Sequence, residues 1–178
     1  MNKNTIAKFA LLATAAAVSQ AALAEDGRVQ FNGEIVDAPC SVSPGATNLV
    51  VPLGKVSRAS MDGAAGKHST PAQFEIQLTD CSASAKGASI TFSGTPDSIS
   101  TDVLAISNSG GLTASASGVA VELRDASRAK IALGSPSPKY VLGVGTNNLK
   151  FEAAYVSTAA TVTPGPANAT AQFTVNYN

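Results

Sequence analysis

Residues 27–35, GRVQFNGEI, decide how the rest of this chain is read. Val29, Phe31 and Ile35 alternate with Arg28, Gln30, Asn32 and Glu34, and Gly33 takes the remaining place on the apolar side. A period of two is the pattern of a strand with one buried face. Close behind it comes Cys40, so there is little room for a hairpin that would fold the stretch back into the same core. An apolar-faced strand near a free end pairs either with its own fold or with another molecule, and its position here favours another molecule.

What precedes the stretch reads as an address. Lys3 and Lys8 give a positive start, residues 9–18 (FALLATAAAV) form a short apolar run, and Ala22-Leu23-Ala24 fits a small-x-small cleavage pattern. This is the plan of a secretory signal peptide over residues 1–24. The run falls short of the roughly 20 apolar residues that a membrane span needs. The expected organisation is therefore a leader (1–24), an amino-terminal extension (25–36) and a single body (37–178). No later segment is apolar enough to cross a bilayer.

The 12 basic and 12 acidic residues cancel, and no basic run suggests nucleic acid or an anionic membrane. The two cysteines, Cys40 and Cys81, make an even count in an exported chain, which argues for one disulfide. It closes a loop of about 40 residues, for which the chain-entropy model gives roughly 4 kcal/mol.

Beyond Cys40, Leu49, Val51 and Leu53 alternate, with Pro52 marking that strand as an edge or its end. Residues 57–70 read as a polar loop. Phe74, Ile76 and Leu78 form a strand that delivers Cys81. Ile90 and Phe92, a short patch at 103–106, Val119-Val121-Leu123, Ile131-Leu133, Tyr140-Leu142 and Leu149-Phe151-Ala153-Tyr155 follow. Residues 163–170 (TPGPANAT) read as a hairpin-like connection, and Ala171, Phe173, Val175 and Tyr177 close the chain. No segment holds a helical period. Short strands separated by polar turns predict an all-β sandwich.

The chemistry-bearing residues form no constellation. His68 stands alone in a polar loop and is expected to be solvated. With both cysteines bridged there is no thiolate nucleophile and no zinc set. No serine sits in a G-x-S-x-G elbow. Residues 63–69 (GAAGKHS) have the wrong glycine spacing for a phosphate loop. Asp62, Asp80, Asp97, Asp102 and Asp125 fall at strand ends and turns, where Asp is common for backbone reasons. The Asn168-Ala-Thr170 sequon is read as chance. Tyr140, Tyr155 and Tyr177 are expected to pack in the core or an interface. No catalytic residue, metal or cofactor is expected.

Four stretches taken together resemble the pilin subunits of chaperone–usher fimbriae, of the type 1 and P pilus kind. They are GEIVDAPCSV (33–42), FEIQLTDC (74–81), GVAVELRD (118–125), and LKFEAAYVST followed by TPGPANATAQFTVNY with its penultimate tyrosine (149–158 and 163–177). The resemblance implies an incomplete immunoglobulin-like sandwich that lacks its last strand. It implies a periplasmic chaperone that lends a strand to the groove, and an outer-membrane usher at which the next subunit's extension replaces it. Gly27, Val29, Phe31, Gly33 and Ile35 would then be the donor positions. Phe173, Val175 and Tyr177 would line the docking strand, with the Asn178 carboxylate anchored by basic residues of the chaperone.

The expected product is a head-to-tail polymer of neighbouring subunits, exported through the periplasm to an extracellular fimbrium that supports adhesion. The short extension leaves a main-shaft subunit and a minor adaptor both open. The rival reading is a self-contained periplasmic or surface sandwich that binds a carbohydrate or small ligand.

Overall fold

The computed structural model describes residues 27–33, 35, 38–107 and 114–177. The expected leader lies outside them, as do Glu34 and Asn178. The chain divides into two units, and everything said of the sandwich concerns the second, Asp37–Asn178.

The elements run β1 (Ser41–Val42), α1 (Pro44–Thr47), α2 (Arg58–Met61), β2 (Ala72–Cys81), β3 (Gly87–Gly94), β4 (Leu104–Ala105), β5 (Val119–Asp125), β6 (Lys130–Ile131), β7 (Tyr140–Val141), β8 (Gly145–Ser157) and β9 (Ala171–Tyr177). One sheet has the order β1-β2-β8-β5-β4, with β6 also on β5, and the second has the order β7-β3-β9. All the pairings are antiparallel. The two helices are single turns, so the all-β expectation holds.

The alternating sequence patterns become the shared core. The β2–β8 register sets Phe74 opposite Phe151 and Ile76 opposite Leu149. Phe151 is the hub: Phe74 stacks on it at 5.6 Å, and Phe92 and Tyr140 meet it edge-on at 5.2 and 5.4 Å. Such ring pairs contribute about 0.5–1.5 kcal/mol each beyond area burial. Ile76, Leu78, Ile90, Leu149 and Phe151 are the largest side chains shut off from water. Cys40 and Cys81 are bridged, as expected, and tie the start of the body to the end of β2.

The outer face of the large sheet is covered as well. The loop after α2 runs beside the end of β8. Gly66 N donates to Ser157 O at 2.8 Å, Ser157 N to Lys67 O at 2.9 Å and Ser69 N to Tyr155 O at 2.9 Å. The Ser157 hydroxyl accepts from Lys67 N and donates to Ala64 O. Under this cover Val103, Ala120 and Val156 form a small cluster of their own. Gly118 makes the approach to this edge possible. Its φ is +72°, and a Cβ there would collide with the Thr161 carbonyl.

Two expectations need correction. Residues 163–170 are not a hairpin: β8 and β9 lie in different sheets, so the segment crosses between them. Its prolines suit a connection that gives up ladder bonds. Residues 49–53 form no strand. The alternation is real, since Val51 and Leu53 pack on the core while Val50 is 84% exposed. A strand also needs a hydrogen-bonding partner, and none of the described strands pairs with this segment.

Candidate functional site

That unpaired segment faces the feature that distinguishes this molecule. β9 hydrogen-bonds to β3 along its length, from Ala171↔Gly94 to Tyr177↔Ala88, and lies at the edge of its sheet. Beside it opens a groove of about 1070 Å³. Its walls include residues 46–54 and 167–173, and its floor includes Phe74, Ile76, Phe92, Leu104, Val121 and Leu123. None of the described residues lining it is charged. An exposed edge strand beside an apolar floor offers unpaired backbone groups together with buriable surface. That is the arrangement that accepts an added strand.

The carboxy-terminal alternation builds this edge. Phe173, Val175 and Tyr177 are half-buried against the core, while Gln172, Thr174 and Asn176 are exposed. Phe173 also lines the groove; Val175 and Tyr177 lie on the same face farther along the strand. The Tyr177 hydroxyl donates to Cys40 O at 3.3 Å, and burial pushes its pKa above the usual phenol value. It stays a neutral donor, linking the end of β9 to the disulfide.

In the other unit, residues 27–33 and 35 carry no strand assignment. Val29 is 75% exposed, Phe31 90% and Ile35 102%. These are the large apolar side chains of the opening stretch, and they are left in water. Gly27 and Gly33 have open space where a Cβ would stand.

A second polar feature lies on the large sheet. Glu122 is buried on β5; its Oε1 accepts from Arg124 Nε at 2.6 Å and lies 3.1 Å from His68 Nε2. Lys130 Nζ stands 3.6 Å from Glu122 Oε2 and 2.5 Å from Asp102. Burial opposes the charge on Glu122, but the hydrogen bonds from Arg124 and His68 outweigh it and hold the pKa below the usual glutamate value. His68 is thus not simply solvated: its loop bridges to Val156, and that register sets the ring beside Glu122. Nearby, Glu152 is buried with one oxygen accepting from Gln73 at 3.4 Å and the other unpartnered. The arrangement fastens a loop to a sheet. Among the described residues no group of three or more His, Cys, Asp or Glu is placed to hold a metal.

The sequence reading missed the groove's first wall and the buried carboxylates. Leu49-Val51-Leu53 carries the signal for that wall, but its alternation predicts a strand that does not form. Glu122 was signalled only by its place between Val121 and Leu123, where a one-sided strand would put it in water.

Comparison with known proteins places the chain. The "Fimbrial protein" family model matches residues 29–178. The "Probable major fimbrial subunit LpfA" of Escherichia coli O157:H7 is 39% identical over 178 residues, covering 99% of this chain and 97% of that protein. The "Fimbrial subunit type 1" of Klebsiella pneumoniae is 40% identical over 170 residues, covering 93% and 91%. A solved chaperone–usher pilus superposes with a TM-score of 0.69 at 28% identity, covering 85% of this chain and 95% of that one. The chain therefore belongs to the fimbrial protein family, and it is a structural subunit of an extracellular fimbria.

Proposed function

We propose that this subunit polymerises by donor-strand exchange, with residues 27–35 of one copy completing the sandwich of the next. The reading rests on one observation above all: β9 is an edge strand beside an uncharged, apolar-floored groove. The exposed alternation of Val29, Phe31 and Ile35 supplies a matching insert. Burying those three side chains contributes roughly 1.5–3 kcal/mol each, and main-chain pairing with β9 sets the register. Gly33 suits a place where backbones approach closely. A contact between two different surfaces of identical copies does not close on itself, so it propagates as a filament.

Before assembly the same groove needs a temporary occupant. A periplasmic chaperone strand pairing with β9, and an outer-membrane usher at which the exchange takes place, fill that role in this reading. The full-length similarity to a probable major subunit supports a place in the shaft. The deciding experiment deletes residues 25–32. The truncate is expected to accumulate bound to its chaperone and to fail to join the subunit before it. Full-length fibres from the truncate would reject the donor role.

A further inference from the structure

Resting on that donor-strand reading, we infer that Lys55 and Arg58 form a cationic gate at one end of the groove that reads Glu34 of the incoming copy and so fixes which way the donor runs. A second cavity of about 400 Å³ adjoins the groove and shares Gly54, Tyr155, Ala167 and Asn168 with it. It lies beyond the amino-terminal end of β9, and Met61, Val119 and Val162 form its buried apolar cluster. Lys55 and Arg58 stand on its rim, exposed. Among the described residues neither makes an ion pair. Among the described residues the groove has no charged lining residue, and the charged residues lining the joined channel, Lys55 and Arg58, stand at this end.

The occupant's charges are distributed to match. Within residues 27–35 the charged side chains are Arg28 near the start and Glu34 near the end. In the sequence both alternate with Val29, Phe31 and Ile35, so a donor that seats those three on the groove floor would turn Arg28 and Glu34 toward the rim. A donor running antiparallel to β9 carries Glu34 toward Lys55 and Arg58 and Arg28 away from them, toward the carboxy-terminal end of β9. A donor running parallel sets Arg28 against two cations. Opposite charges at a rim act mainly on direction and encounter, and like charges penalise the wrong alignment.

The test uses filaments of the whole mature chain. Their rate of dissociation is followed in fixed urea at low and high salt. Lys55→Glu with Arg58→Glu, and separately Glu34→Lys, are each expected to speed dissociation about threefold at low salt, the size of a partly exposed pair. High salt should erase the difference. Combining Glu34→Lys with the two rim reversals should restore the wild-type rate, or restore assembly where a single reversal prevents it. Arg128→Glu, exposed in the turn between β5 and β6 and lining neither cavity, should leave the rate unchanged. Reversals without effect, no rescue by the combination, or an Arg128→Glu effect equal to that of the rim reversals would overturn the gate. Failure of the parent reading looks different: filaments with Phe31→Asp would then dissociate like wild type.

Discussion

Phe31→Ala separates the stability of a subunit from the stability of the junction between subunits. In the subunit the ring is 90% exposed, so its removal deletes almost no buried contact. Surface substitutions of that kind change stability by about 0.5 kcal/mol or less. In the junction proposed above, the ring would enter a groove floored by Phe74, Phe92 and Leu123. Truncating a buried phenylalanine costs about 3–5 kcal/mol. The lower figure suits an open groove, and about 3 kcal/mol weakens each junction roughly a hundredfold. The assay is a urea series on purified filaments, with released monomer measured by sedimentation, beside an unfolding curve of the chaperone-bound subunit. The filament midpoint should fall sharply while the subunit curve stays put. A subunit curve that shifts while the filaments hold would refute the reasoning, because the ring would then belong to its own fold.

Three further outcomes follow from the same structure. Phe173→Asp and Tyr177→Asp put a charge on the half-buried face of β9 and should abolish capture by the chaperone; normal periplasmic yield of both variants would contradict this. Replacing Cys40 and Cys81 together by serine releases a cross-link spanning 41 residues and should cost roughly 4 kcal/mol in denaturant unfolding, whereas an unmoved midpoint would mean the bridge constrains little. Glu122→Gln should cost about 1–3 kcal/mol at pH 7, since it leaves Arg124 and His68 facing a neutral group. The folded pKa of Glu122 is depressed, so its contribution is complete above the ordinary value of 4.5 and is lost as pH falls through the folded value. Unfolding curves should therefore show the gap between wild type and variant narrowing in acid; a gap that widened there would invert the argument.

The period of two was enough to find most strands, because Phe74-Ile76-Leu78 and Leu149-Phe151-Ala153 face one core across a single antiparallel register. It was not enough at residues 49–53. Alternation reports which side chains face the interior, and Val51 and Leu53 do; it is silent on whether a neighbouring backbone is there to bond. The same limit hid the crossing at residues 163–170. Prolines and small residues mark a turn in the path, while the sheet that the next strand joins is decided by long-range pairing. Glu122 and Glu152 escaped notice for a related reason. A carboxylate on an alternating strand looks solvent-facing until a distant part of the chain closes on it, the loop carrying His68 for Glu122 and Gln73 of β2 for Glu152. The proposed donor face rests on what the sequence itself displays, three large apolar side chains in alternation ahead of the first cysteine, and the structure leaves all three exposed.

The most direct test is a filament structure by electron cryomicroscopy at side-chain resolution. The account predicts residues 27–35 of each copy hydrogen-bonded along β9 of its neighbour, with Phe31 inside the groove. Filaments in which that stretch lies in its own copy's groove, or outside any groove, would contradict it.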